Sequence, residues 1–135
     1  MDRLFLDANV LFSAAYRDDA GLLDLWKLKN VHLCSSQYAL AEAKINLPER
    51  VQVQRLENLS MVLELFDAAL RELPDEISLP PKDAPILLAA IEACATHLIT
   101  GDMRHFGPYF GKKICGILIV PPGDYLRKHA ARGLK

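Results

Sequence analysis

A short apolar run that ends in a carboxylate opens this chain and constrains its fold more than any other stretch. Residues Leu4–Leu6 run directly into Asp7, and the apolar residues resume at Val10. Such a run, bounded by polar groups, is typical of a strand that is buried on both faces in a parallel sheet. Because ligands bind beyond the carboxyl ends of such strands, Asp7 stands where a site would be built. The same position suits an N-cap for the following helix, and this stretch alone favours neither interpretation.

The rest of the chain alternates short apolar runs with helical patterns. Further strands are predicted at residues 31–34, 77–79, 96–100 and 114–120. Helices are predicted at residues 10–15, 22–30, 37–46, 51–70, 83–94 and 124–132. Strands that alternate with helices predict an α/β fold, with three layers (α/β/α) and a mainly parallel central sheet. The 135 residues suffice for one domain with a substantial core, so we expect a single domain over residues 1–135.

Composition narrows the classes of partner. The formal net charge is −1, so the protein has no overall positive charge that would attract nucleic acid or an anionic membrane. Binding of RNA would therefore need local basic patches or metal ions. Cys34, Cys94 and Cys115 each lie among apolar residues and are predicted to be small buried side chains of a reduced, cytoplasmic protein. No apolar run approaches the length of a membrane span, and the start lacks the basic region of a signal peptide, so no membrane partner is expected.

Topology predicts that three acidic residues share one edge of the sheet. Asp7 and Asp102 each follow a predicted strand, and Asp83 begins the helix that precedes the second of these strands. Carboxylates that converge repel one another unless a cation neutralises them, and Mg²⁺ or Mn²⁺ prefers such oxygen ligands. Taken singly, Asp83 also suits a helix cap and Asp102 a turn. Sheet topology does not place Glu42 at this edge, and Glu42 also suits a solvated helix face.

Several short motifs stand in a characteristic order along the chain. They are Leu6–Leu11, Ser36 with Glu42, Asp83 before Ile86–Ala90, Leu98–Asp102 before Phe106, and Ile119–Pro122 before Tyr125 and Leu126. In this order and spacing, and over nearly its whole length, the chain resembles the PIN-domain nucleases. That family includes the toxin ribonucleases of type II toxin–antitoxin pairs.

The resemblance implies an endoribonuclease that depends on Mg²⁺ or Mn²⁺. Its acidic metal ligands would match Asp7, Glu42, Asp83 and Asp102. Its polar helpers, which orient ligands or the attacking water, would match Asn9 and Thr100. It further implies an RNA substrate, a cognate antitoxin protein and a homodimer. The chain departs from the family where Lys82 precedes Asp83, because an acidic pair often stands there; the lysine would offset metal charge or contact phosphate.

Two other classes of function compete with the nuclease. A non-catalytic PIN-like module would bind only RNA or a protein. A phospho-Asp signalling module would need a lysine after the last strand, where this chain has Pro121 and Pro122. The histidines show no metal-ligand spacing, and none is predicted to act in catalysis, although His105 lies near Asp102. Basic side chains near the predicted edge would contact phosphates or remain a solvated surface; they are Lys82, Arg104, Lys112 and Lys113.

Overall fold

Six strands and five helices make up the regular structure of residues 1–68 and 71–133, the parts of the chain that the computed structural model describes. The strands are β1 (Asp2–Leu6), β2 (Val31–Ser35), β3 (Glu64–Leu65), β4 (His97–Ile99), β5 (Lys113–Ile114) and β6 (Ile117–Val120). The helices are α1 (Ala8–Tyr16), α2 (Gln37–Asn46), α3 (Arg50–Ser60), α4 (Ala84–Glu92) and α5 (Pro122–Gly133). Short 3₁₀ helices cover Gly21–Lys27 and Gly107–Tyr109.

The strands form one sheet in the order β3-β2-β1-β4-β6-β5. All pairs are parallel except β5 with β6, which is antiparallel. The predicted α/β fold with a mainly parallel central sheet is therefore confirmed. Strands β1 and β4 are neighbours although the chain between them is long, and Leu6 pairs with Ile99 at their carboxyl ends. This pairing brings the residues that follow the two strands to the same edge of the sheet.

The centre of the sheet is apolar on both faces. Leu4, Phe5 and Leu6 of β1 are fully buried, as are Leu98 and Ile99 of β4. Burial of a side chain of this size stabilises the fold by roughly 1.5–3 kcal/mol, so these two strands form a rigid base for whatever follows them. Helix α4 covers the sheet with its continuous apolar run, and its residues from Ile86 to Ala90 are all buried.

Two predicted helices differ from the structure. The pattern at residues 22–30 forms the 3₁₀ helix Gly21–Lys27 and not an α-helix. The helix predicted over residues 51–70 ends at Ser60, because the chain turns at Met61 and Val62 and then forms the edge strand β3. Leu70, the predicted end of that helix, lies outside the described residues.

Two predicted strands also need correction. Residues 77–79 are not a strand, although Ile77 is buried in the core and this explains its apolar neighbourhood. The single strand predicted over residues 114–120 is a hairpin of β5 and β6. Cys115 and Gly116 form its turn with φ of 52° and 79°, the left-handed conformation that tight hairpin turns require.

The prediction for the cysteines is correct for Cys34, which is buried, and wrong for Cys94 and Cys115, which are exposed. Both exposed residues have positive φ, Cys94 at the end of α4 and Cys115 in the hairpin turn, so they lie where the chain reverses at the surface. Among the helices of the described residues, none combines the length and the apolar composition of a membrane span.

Candidate metal centre

The four predicted acidic residues line one cleft at the carboxyl edge of the sheet. Its volume is about 800 Å³. Asp7 follows β1, Asp102 follows β4, Asp83 precedes α4, and Glu42 lies within α2. The lining also includes Asn9 and Lys82, together with apolar atoms of α1 and α2. Topology therefore brings the first three acids together as predicted, and Glu42, which only the family resemblance implied, faces the same space.

Asp7 is fixed by hydrogen bonds to both of its carboxylate oxygens. It is the N-cap of α1, and its Oδ1 accepts from the backbone N–H of Ala8 at 2.6 Å. Its Oδ2 accepts from the Thr100 hydroxyl at 2.8 Å and from Asn9 Nδ2 at 3.1 Å. The capping interpretation and the site interpretation of Asp7 are thus compatible, because the cap bond and the cleft involve the same immobile side chain.

Thr100 and Asn9 connect the ends of β1 and β4. Thr100 is fully buried, and its Oγ1 accepts from Asn9 Nδ2 at 3.3 Å and from the backbone N–H of Asp102 at 3.1 Å. Asn9 Oδ1 accepts from the backbone N–H of Gly101 at 2.8 Å. Both residues therefore have a geometry that orients Asp7 and the loop carrying Asp102.

Asp7 retains a proton more strongly than an ordinary aspartate. Burial raises its pKa from 3.8 to about 6, because removal from water disfavours the charged form. The hydrogen bonds from Thr100 and Ala8 oppose this rise, and the negative charges of Asp83 and Asp102 add to it. The donors around Asp7 orient its charge but do not neutralise it.

Asp83 is buried as well, yet it is much less well satisfied. The residue is 9% exposed, and burial raises the pKa of its carboxyl, with the charge of His105 opposing that rise. Asp83 precedes α4, but within the described chain its side chain makes no capping hydrogen bond, so the cap interpretation is not supported. Its Oδ2 is fully buried and accepts no hydrogen bond from any described residue.

His105 lies beside two of the acids, a position that sequence reasoning missed. Its Nδ1 is 3.0 Å from Asp102 Oδ2 and 2.9 Å from Asp83 Oδ2. The backbone N–H groups of Arg104 and His105 donate to Asp102 Oδ1 at 3.1 and 3.0 Å, so Asp102 closes the turn that carries the imidazole. The sequence does contain a signal for this contact, because His105 follows Asp102 by three positions. This spacing places both side chains on one side of a single turn.

Tyr38 connects Glu42 to the segment that carries Asp83. Its hydroxyl donates to the backbone oxygen of Lys82 at 2.6 Å. Partial burial, followed by the hydrogen-bonding contact and the charge of Glu42, raises the pKa of Tyr38 to about 12, with smaller effects from Asp83 and Asp7. Glu42 thus adds its negative charge to the cleft from the side of α2.

This set of donors suits a divalent cation. One atom each from Asp83, Asp102 and His105 lies within 4.8 Å of the other two. The buried Asp83 oxygen without a hydrogen bond from the described residues, and the burial that raises the pKa values of Asp7 and Asp83, indicate carboxylates whose charged form the chain alone does not fully stabilise. Carboxylate-rich sites of this kind suit Mg²⁺ or Mn²⁺, so the residues fit the metal that the family resemblance implied.

Comparisons with known proteins agree with this architecture. The sequence profile of the PIN domain matches residues 3–104, and the chain belongs to this family. Its structure is similar to the crystal structure of VapBC2 from Rickettsia felis bound to a DNA fragment from their promoter, with a TM-score of 0.66 and 19% identity. The match covers 88% of this chain and 98% of that one, and it supports the fold. A comparison with curated proteins finds no matching sequence.

Proposed function

We propose that this protein is a metal-dependent endoribonuclease and that its nuclease domain comprises residues 1–135. The observation that supports this most strongly is the meeting of Asp7, Glu42, Asp83 and Asp102 in one cleft. PIN domains are generally metal-dependent nucleases. Four carboxylates that share a cleft with one lysine repel one another unless a cation is bound. Metal-dependent hydrolysis of a phosphodiester uses a cation held in this way.

In the proposed enzyme, Asp7, Asp83 and Asp102 hold Mg²⁺ or Mn²⁺, and Glu42 completes the set directly or through water. When bound, such an ion activates water and offsets charge that develops on the phosphodiester. The protein contributes the rigid placement of these ligands. Thr100 and Asn9 hold Asp7 in one orientation, and partners of this kind typically raise metal affinity ten- to a hundredfold, by about 1.4–2.8 kcal/mol.

Lys82 supplies positive charge at the rim of the same cleft. It is exposed, and its positive charge partly opposes the rise that burial causes in the pKa of Asp83. Contacts to phosphate provide most of the affinity of proteins for RNA. We assign Lys82 to binding a phosphate of the RNA next to the metal, in the place where an acidic residue often stands in this family.

The proposed biological role is that of the toxin in a toxin–antitoxin pair, acting in the cytoplasm as a homodimer with a cognate antitoxin. The support is the family membership together with the fold shared with the VapBC2 structure, which is described as bound to promoter DNA. Growth arrest after induced expression, abolished by Asp7→Asn, is the expected result. Co-purification of the product of the adjacent reading frame would identify the antitoxin, and size-exclusion chromatography with light scattering would measure the dimer.

The decisive test of the activity is cleavage of RNA by purified protein with Mg²⁺ or Mn²⁺. We expect cleavage by the wild type, complete inhibition by EDTA, and a loss of at least about a thousandfold in Asp7→Asn and Asp102→Asn. Asp18→Asn provides the matched control, because Asp18 is exposed and lies outside the cleft. Cleavage that survives in both site variants would overturn the assignment. Failure of the wild type to bind Mn²⁺ at millimolar concentration would favour the non-catalytic module.

A further inference from the structure

One imidazole nitrogen lies against carboxylate oxygens of two residues that line the cleft. His105 Nδ1 is 2.9 Å from Asp83 Oδ2 and 3.0 Å from Asp102 Oδ2. The side chains of all three residues are largely shielded, with 22% of the imidazole, 13% of Asp83 and 21% of Asp102 exposed. The three donor atoms therefore converge on a space that bulk water reaches only in part.

This nitrogen makes an aligned hydrogen bond to only one of the two oxygens. An imidazole Nδ1 has either one proton to donate or one lone pair to offer, in a single direction within the plane of the ring. That direction serves Asp102, with which His105 makes the aligned contact. Asp83 Oδ2 is then left fully buried with no hydrogen bond from the described residues, although it is slightly closer to the nitrogen. A buried oxygen without a hydrogen bond is unfavourable, so a further group should satisfy it.

We propose that His105 Nδ1 is a direct ligand of the metal ion, together with Asp83 and Asp102, and that this nitrogen makes the site prefer Mn²⁺ to Mg²⁺. The inference rests on the proposed function, since it adds a ligand to the metal centre of the nuclease. A cation among the three atoms would satisfy all of them at once. Neighbouring donors in an octahedral complex with bonds of about 2.0–2.1 Å lie about 3 Å apart, as these atoms do.

The turn that carries His105 is built to hold the imidazole in this place. Asp102 Oδ1 accepts from the backbone N–H of His105 at 3.0 Å, and the backbone oxygen of Asp102 accepts from the N–H of Phe106 at 3.1 Å. Phe106 is fully buried and anchors the far end of the turn in the core. Asp102 thus positions His105 through its Oδ1 and through the backbone, and its Oδ2 lies on the same side as the imidazole.

The nitrogen ligand accounts for the proposed choice of metal. Mg²⁺ strongly favours oxygen ligands, whereas imidazole binds first-row transition ions well. We therefore expect the wild type to bind Mn²⁺ at least about tenfold more tightly than Mg²⁺. In His105→Gln, the affinity for Mn²⁺ should fall by about tenfold or more, while the affinity for Mg²⁺ changes by less than about threefold, so the preference is largely lost.

Electron spin echo spectroscopy of the Mn²⁺-loaded protein tests the bond itself, without relying on activity. Protein labelled with ¹⁵N only in histidine should show the coupling of a directly bonded ¹⁵N nucleus to Mn²⁺. This coupling should persist in His32→Gln, a matched control on an exposed strand position, and disappear in His105→Gln. Because the wild-type protein carries the signal, the detection of a histidine ligand does not depend on the folding of any variant, and the two variants then assign it to His105.

Titration calorimetry with Mn²⁺ and with Mg²⁺ accompanies the spectroscopy and separates two failures. If Mn²⁺ binds to the wild type but no histidine nitrogen couples to it, His105 is not a ligand and the inference is wrong, while the metal centre stands. The inference is also overturned if His105→Gln keeps the wild-type ratio of the two affinities. If neither ion binds the wild type, the proposed function fails together with the inference.

Discussion

Asp7 and Asp83 are both buried aspartates that directly precede a helix at the same edge of the sheet, and yet their surroundings differ sharply. Asp7 caps its helix and accepts hydrogen bonds on both oxygens from Ala8, Thr100 and Asn9. Asp83 makes no capping bond among the described residues, and its inner oxygen is left without a hydrogen bond. The fold fixes the carboxylate of Asp7, whereas it buries Asp83 without giving its Oδ2 a hydrogen bond from the described residues.

This difference corresponds to two roles of ligands in a metal site: one ligand fixes the position of the ion, and another is stabilised by its charge. Burial keeps the pKa of Asp7 raised although its hydrogen bonds oppose this rise, because neutral donors orient a carboxylate but leave its charge in place. A buried oxygen with no donor indicates where a further partner belongs. We infer that Asp7 sets the position of the proposed ion and that Asp83 gains most from its presence.

The largest expected effect is on the stability of the metal-free protein as a function of pH. Because the pKa of Asp7 rises from 3.8 to about 6 on folding, the folded state binds this proton more tightly than the unfolded state. Stability should therefore fall by about 3 kcal/mol as the pH rises from about 4 to above 6. Urea unfolding in EDTA across this range measures the fall.

Asp7→Asn is the control for that pH dependence, since its side chain does not titrate. The slope between pH 4 and 6 should shrink by most of the amount that Asp7 contributes. Addition of Mn²⁺ at pH 7.5 should restore stability to the wild type by mass action and have little effect on Asp7→Asn. An unchanged slope in the variant would show that burial of Asp7 does not govern the pH dependence.

The next largest effect concerns the hydrogen bonds that fix Asp7. Thr100→Val keeps the shape of a fully buried side chain but removes the hydroxyl that donates to Asp7 Oδ2. We expect the affinity for Mn²⁺ to fall ten- to a hundredfold, as is typical when a ligand loses its supporting partner. Titration calorimetry measures the change, and Thr100→Ser, which retains the hydroxyl, should preserve most of the affinity.

A smaller effect is expected from Asp83, and its direction is opposite for folding and for binding. Asp83→Asn removes a buried charge that burial disfavours in the metal-free protein, so stability in EDTA at pH 7.5 should rise slightly. The same change should abolish stabilisation by Mn²⁺. Exposed Asp18→Asn should stay within about 0.5 kcal/mol of the wild type in both conditions. A loss of stability in EDTA would indicate that Asp83 is satisfied by the protein itself.

The smallest effect is expected from Ser36, which caps a helix but, unlike Asp7, is not a proposed metal ligand. Ser36 caps α2 and accepts from the backbone N–H of Ala39 at 3.0 Å, but it does not line the cleft. Ser36→Ala should cost about 1 kcal/mol of stability, equally with and without Mn²⁺. A clear change in its Mn²⁺ affinity would show that the position of α2, and with it Glu42, is coupled to the site.

Much of this arrangement could be predicted because its causes are local. The apolar run before Asp7 predicts a buried central strand, and the parallel topology then brings Asp83 and Asp102 to the same edge. Glu42 could not be placed in this way, since its approach to the cleft depends on how α2 packs; the family resemblance supplied it. The helix predicted over residues 51–70 is too long for a simple reason, because apolar residues continue at Val62 and Leu63 after the chain has turned towards β3.

His105 was missed for a different reason. Its spacing from Asp102 is visible in the sequence, but its approach to Asp83 joins residues that are 22 positions apart and depends on the turn after β4. A single histidine near an acid predicts little without that contact. Three-dimensional proximity, together with the unsatisfied oxygen of Asp83, is what makes the residue informative.

Anomalous X-ray diffraction from crystals grown with Mn²⁺ would locate the ion in the cleft without reference to activity. We expect an anomalous peak in the cleft, within bonding distance of Asp7, Asp83 and Asp102. A peak at another place, or no peak at a Mn²⁺ concentration that supports RNA cleavage, would contradict the proposed metal centre.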